Sequence, residues 1–251
     1  MPAGSALHIL NGDALADRLA HHLEAESDPN AVFVMREALV EGPVAPWKDP
    51  HAFAEVRASH LRTYDPSLSA ERYRRGVDPR GRLDGVSRET PLWLWFEYDV
   101  FCQVNLWFTC ACIDVLAWEG PVSVVLPPEN TPYSFAHVPT DALLGRVAQA
   151  VQVPTHSGRL LWESFVGGGS VSPAAEGSPW HAIAGRAVDA LHRWQTPRGR
   201  HRPTEPDAHP HDVLVAWYAA SGRDFGTTFR RFCAQYPEYG FGDVQVRALL
   251  T

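Results

Sequence analysis

Apolar residues fall in short dense runs through the first half of the chain and at helical spacing through the second. The runs at 6–10 (ALHIL), 31–35 (AVFVM), 91–96 (PLWLWF) and 122–126 (VSVVL) are too short for helices. They carry almost no polar residue, as strands covered on both faces do. Between them lie segments of helical length. Residues 14–25 repeat Leu15, Leu19 and Leu23, and 50–64 repeat Phe53, Val56 and Leu61. A long apolar stretch follows residue 99. Turns are expected at Asn11-Gly12-Asp13 and at 28–30. The stretch 65–90 is polar and rich in Arg and Asp, which predicts one short helix at 70–75 and then a mobile loop. Strands alternating with helices predict an α/β fold with a parallel, doubly wound (Rossmann-like) sheet of about four strands.

Past Pro127-Pro128 the strand signal stops. Helices are predicted at 140–151, 157–165, 179–194, 210–220, 227–236 and 243–250, with mobile linkers at 167–173 (GGGSVSP) and 196–203 (TPRGRHRP). The expected organisation is an α/β domain over 1–130 and a helical region over 131–251.

The strand at 91–96 breaks abruptly into Glu97-Tyr98-Asp99 before the longest apolar helix. In an open α/β sheet such a corner lies at the carboxyl edge, where ligands bind. The loops after the first three strands should meet there. They bring Asn11 and Asp13, then Arg36, Glu37 and Glu41, then Glu97 and Asp99. Asp13, Glu97 and Asp99 are the candidate catalytic residues. The same three are candidate ligands for Mg²⁺, which prefers oxygen donors and keeps waters for a phosphate. Asn11, Arg36, Glu41 and Gln103 are candidate substrate contacts. Arg36 suits an anion through its bidentate fork, and Gln103 lies one helical turn beyond Asp99. Plainer roles compete. Asp13 and Asp99 each stand where an aspartate caps a helix, Glu37 has a neighbour in Arg36 or a strand end, and Asn105 inside an apolar helix points to a structural amide. Glu97 has no capping duty.

Three motifs carry a resemblance. HILNGD at 8–13, MREALVEGP at 35–43 and LWFEYDVFCQVNL at 94–106 together resemble DUF1835, a bacterial domain family of unknown function. The tail, with RFCAQYP at 231–237 and GFGDVQVRALL at 240–250, resembles more weakly the helical part often attached to it. The resemblance implies the fold already read and no established activity. Family members often carry His between the two acids, where this chain has Tyr98.

Composition narrows the function. A net charge of -7 and a pI near 5.9 argue against nucleic acid as a partner. Lys48 is the only lysine, which leaves no P-loop or Schiff-base lysine elsewhere. Gly-x-Ser-x-Gly, His-Glu-x-x-His and Gly-x-Gly-x-x-Gly are all missing. The four cysteines lack zinc or disulfide spacing. No signal peptide or membrane-length apolar run is read, and the expectation is a reduced cytoplasmic protein with a small-molecule ligand. Two function classes follow. One is a metal-dependent enzyme acting on a phosphorylated or nucleotide-like small molecule at the acidic edge. The other is a non-catalytic regulatory module that senses a ligand and contacts a partner protein through its helices. Neither substrate nor oligomeric state is legible.

Overall fold

The computed structural model of the chain describes residues 6–24, 31–129, 134–172 and 175–251, with backbone alone for 20–24. The turn expected at 28–30 lies outside the described residues. In chain order, β1 (Leu7–Asn11), α1 (Asp13–Glu24) and β2 (Val32–Met35) are followed by three helices, α2 (Pro50–Leu61), α3 (Ala70–Gly76) and α4 (Pro79–Leu83). Then come β3 (Leu92–Trp95), α5 (Val100–Val115) and β4 (Val122–Val125). The rest is α6 (Thr140–Leu143), β5 (Val151–Gln152), α7 (Thr155–Val166), α8 (Pro179–Trp194), α9 (Pro210–Ala220), α10 (Phe225–Gln235) and α11 (Asp243–Leu249).

The sheet order is β2-β1-β3-β4-β5. The first four strands are parallel, with Ile9 opposite both Phe33 and Leu94, and Leu94 opposite Val124. This is the expected α/β fold. β5 corrects the expectation of no strand beyond residue 126. It pairs antiparallel with β4, Val151 opposite Val124. Two residues ended by Pro154 leave no periodicity to read.

Alternation along each strand divides the core between two faces. Leu7, Ile9, Leu92, Leu94, Phe96, Val122 and Val124 face the larger cluster, which α2, α5, α7 and α8 complete. Leu10, Trp95 and Val125 face a smaller one closed by Leu15 and Leu19 of α1 together with Phe135, Val138 and Leu143. The larger core crosses the expected boundary at 130. Trp162, Trp180, Phe232, Tyr239 and Val246 pack in the same cluster as Leu94 and Trp107.

The stretch 65–90 differs from the mobile loop expected there. It contains α4 as well as α3. Ser69 caps α3 and Asp78 caps α4. Arg80 grips Asp78 at 2.6 Å and lies over the rings of Phe53 and Phe108. Polar composition here serves caps and ion pairs that fasten short helices. The predicted helix at 140–151 is one α turn followed by a 3-10 segment over Leu144–Gln149. The second linker is tethered, because Asp212 accepts from Arg198 Nε at 3.1 Å and from Gly199 N at 2.7 Å.

Candidate functional site

Parallel strands place the loops after β1, β2 and β3 on one edge. The strand order reverses its winding between β1 and β3, the usual ligand position in such sheets. Here that gap is spanned by side chains. Asn11 Nδ2 contacts Cys102 Sγ at 3.0 Å. Asn105 Nδ2 donates to Asn11 Oδ1 at 2.9 Å and to the Glu37 carbonyl at 2.7 Å. Asn105 Oδ1 accepts from Leu39 N at 3.3 Å. Asn105 is the buried structural amide its setting suggested, and it ties the loops after β1 and β2 to α5.

Two cavities lie at this edge. The first, about 420 Å³, lies on the β3 side, with Glu97 and Asp99 in its wall. Ser134 and His137 line it from beyond β4, and Phe232, Tyr236, Gly240 and Phe241 line it from the C-terminal region. The second, about 410 Å³, lies over the ends of β1 and β2. Asn11, Asp13 and Arg36 line it beside Leu61, Leu68, Phe101 and Val244. The candidate acids therefore fall in two places, not one. Asp13 opens α1, and its carboxylate is taken by Arg36, with Nη2 at 2.7 Å and Nε at 2.9 Å, on the open surface. Glu97 and Asp99 stand together with Cys102, their ligand atoms all within 4.8 Å of one another.

Local structure explains the pair. Asp99 is the N-cap of α5 and accepts from Cys102 N at 2.9 Å. Capping places its carboxyl in the protein interior, 3 % exposed. Glu97 is half-buried and accepts from the Phe135 N–H. That segment is fixed by Arg18 of α1, which donates to the carbonyls of Phe135 and Val138. Gln103 Nε2 donates to the Glu97 carbonyl at 2.7 Å, so it holds the corner's backbone and does not line the cavity. Its Oε1 has no partner among the described residues.

Burial and then the charge of Asp99 push the Glu97 carboxyl up to about 7, against the opposing hydrogen bonds from Phe135 and Ser134. Burial raises Asp99 to about 6. Cys102 is driven far upward by burial and by both acids, so it stays a thiol and not a thiolate. Two carboxyls this close disfavour a second negative charge.

No family model matches this chain, and no curated protein or solved structure is significantly similar to it.

The remaining expected contacts are structural. Glu37 pairs with neither Arg36 nor a strand end. It is fully buried against Arg57 of α2, Nη2 to Oε1 at 2.6 Å, and accepts from the Tyr73 hydroxyl and Ala38 N. Arg57 also donates to the carbonyls of Ala38, Glu41 and Pro43, which fixes the loop after β2. Arg57 sits inside a helix pattern that gave no hint of this. The Glu41 carboxylate accepts from the Tyr64 hydroxyl at 2.7 Å and from Gln245 Nε2 at 3.3 Å, and lines neither cavity. The cavity residues 134–137 and 232–241 lie outside the site that the sequence predicts. They come from the middle and the far end of the chain, and only Gly240 marks itself locally.

Among the described residues, no helix is long and apolar enough to cross a membrane.

Proposed function

We propose that this chain is a small-molecule enzyme whose chemistry sits on Glu97 and Asp99. The observation that carries the reading is the pairing of two carboxyl groups, with ligand atoms within 4.8 Å, in the wall of a cavity that no arginine or lysine among the described residues lines. Such a pair requires a positive charge, and there are two ways to supply it.

The first is a proton. One carboxyl held up near neutrality donates while its partner accepts, the arrangement general acid–base catalysis needs at ordinary pH. The Glu97 carboxyl, raised to about 7, is the acid or base of this scheme, and Asp99 holds it there. The second is a divalent cation. Mg²⁺ takes one or two carboxylates and keeps waters for a phosphate group. Glu97 and Asp99 supply oxygens of that kind, and the Cys102 thiol stays outside such a sphere. In this version the substrate is phosphorylated or nucleotide-like, and Asp13, clamped by Arg36 at the other cavity, takes no part in holding the ion. Kinship with DUF1835 is proposed on the three sequence motifs alone.

Thermal unfolding with millimolar Mg²⁺ or Mn²⁺, with and without a nucleotide panel, tests the reading. A rise in Tm that Glu97→Gln abolishes supports the metal version. Metal-independent ligand binding that follows the ionisation of Glu97 supports the proton version. Ligand effects indifferent to Glu97 would end both.

The reading as a non-catalytic sensing module has its own supporting observation. The C-terminal region lies directly on the acidic corner, with Gly240 against Asp99, so a ligand entering there is felt by the helices. A ligand that binds through Glu97 with no turnover of any tested substrate favours the module.

A further inference from the structure

We infer that the cavity over Glu97 and Asp99 receives an organic ammonium ion, held by the two carboxyl groups on one side and by the rings of Tyr236 and Phe241 on the other. The inference rests on the reading of Glu97 and Asp99 as a site and names the ligand class for it. Three observations carry it. First, the lining offers negative and aromatic character together, and both attract the same kind of ligand. A cation over an aromatic face within about 6 Å is stabilised by the ring quadrupole, most of all where water is excluded. Second, the aromatic wall is rigid. Phe232, Tyr236, Tyr239 and Phe241 form one packed group with ring centroids 5.4 to 6.4 Å apart. Rings fixed beforehand lose little freedom when a ligand arrives. Third, His137 is the one basic side chain among the described residues that line the cavity. Arg18, the nearby base from α1, is spent on the carbonyls of Phe135 and Val138, and no arginine or lysine among the described residues lines the cavity.

The neighbouring cavity makes the contrast. There each lining carboxylate already has an arginine, Asp13 with Arg36, Glu37 with Arg57 and Asp65 with Arg72, so no acid in it is left to call for a cationic guest. At about 420 Å³ the first cavity falls in the range of small-molecule pockets. A bare phosphate or a nucleotide without metal meets two carboxyls with only His137 to offset them, so it is disfavoured. An amine or quaternary ammonium meets a complementary charge and a ring face.

The test uses the full chain and three probes: choline, spermidine, and neohexanol, the neutral carbon isostere of choline. Binding is followed by calorimetric titration at constant ionic strength, with circular dichroism to establish that each variant is folded. At least one of the two cations should bind saturably and at least about tenfold more tightly than neohexanol. Glu97→Gln and Phe241→Leu should each weaken that binding by roughly tenfold, and Tyr236→Leu serves if Phe241→Leu does not fold. Choline and neohexanol binding alike, or cation binding unchanged in both variants, would overturn the inference. A parallel titration with Mn²⁺ separates the two levels. If both ammonium probes fail while Mn²⁺ binds the unaltered chain but not Glu97→Gln, the ammonium assignment falls and the site stands. If neither probe class depends on Glu97, both fall.

Discussion

Gly240 lies so close to Asp99 that a Cβ built on it would meet the Asp99 Oδ1 atom at 1.9 Å. The backbone there is also left-handed, with φ +63. The contact joins the last part of the chain to the N-cap of the helix that organises the first part. It explains why a corner read from residues 97–99 finds its cavity completed by residues 232–241.

Gly240→Ala should therefore cost more than backbone strain alone. Left-handed backbone costs an L-residue about 1–2 kcal/mol. Gly222 provides the reference, since it has φ +68 and nothing within 4 Å of its would-be Cβ. Gly222→Ala should lose about 1–2 kcal/mol, and Gly240→Ala clearly more. Urea unfolding of both variants measures the difference, and equal losses would mean that Asp99 yields freely.

Breaking the Glu37–Arg57 pair should be severe. Both side chains are fully buried, with the Tyr73 hydroxyl on the same carboxylate. Removing one partner of a buried pair strands the other, at about 3–5 kcal/mol. Arg57→Met and Glu37→Leu should each lose that much in denaturant unfolding, and the double replacement Glu37→Leu with Arg57→Met should lose less than the sum. Strict additivity would show that the two do not act as a pair.

These residues show what the sequence discloses. Dense apolar runs place all four parallel strands, because a strand covered on both faces cannot carry polar residues without partners. Capping chemistry marks Asp99 for the same reason, since a helix start has free N–H groups wherever the chain goes. Long-range pairing leaves no such trace. Arg57 looks like any arginine on a helix, and nothing near Arg36 says that it takes Asp13 rather than Glu37. The acids split between two cavities, and Asn105 reaches Asn11 and the Glu37 carbonyl across the sheet edge. A period-based reading cannot see that reach. β5 is too short to have a period at all.

Stability should depend on pH through Glu97 and Asp99 in a fixed sense. Their folded pKa values, about 7 and about 6, lie above the ordinary carboxylate range. A raised acid favours the native state while protonated. Its contribution is complete below about pH 4 and is lost as pH climbs towards 7. His8 works oppositely. Burial lowers its imidazole to about 4, so its neutral form favours the native state above about 6.5 and that favour drains away towards pH 4. The difference between the unaltered chain and Glu97→Gln cancels His8. At pH 8 the variant should be as stable or more stable, and its advantage should shrink as pH falls to 4. Thermal unfolding across that range checks the slope, and a variant much weaker at every pH would make Glu97 a structural hydrogen-bond partner of Phe135.

The last prediction separates the two causes of the Glu97 shift. Burial is the larger and the charge of Asp99 the second. Asp99→Asn keeps an oxygen to accept from Cys102 N, and Asn caps nearly as well as Asp, so the helix start should survive with little loss. Asp99→Ala removes the cap and should cost about 1 kcal/mol. In Asp99→Asn the carboxyl of Glu97 no longer faces a neighbouring charge. Its midpoint, followed by carbon-detected NMR of the side-chain carboxyl, should fall below about 7, yet stay above the ordinary value of 4.5 because burial persists. A midpoint that does not move would mean that Asp99 is already neutral wherever Glu97 titrates. Glu97 would then be a solitary buried acid, and the shared charge on which the proposed chemistry depends would be absent. A midpoint that drops all the way to 4.5 would say the opposite, that the corner is wet and the neighbouring charge acts alone.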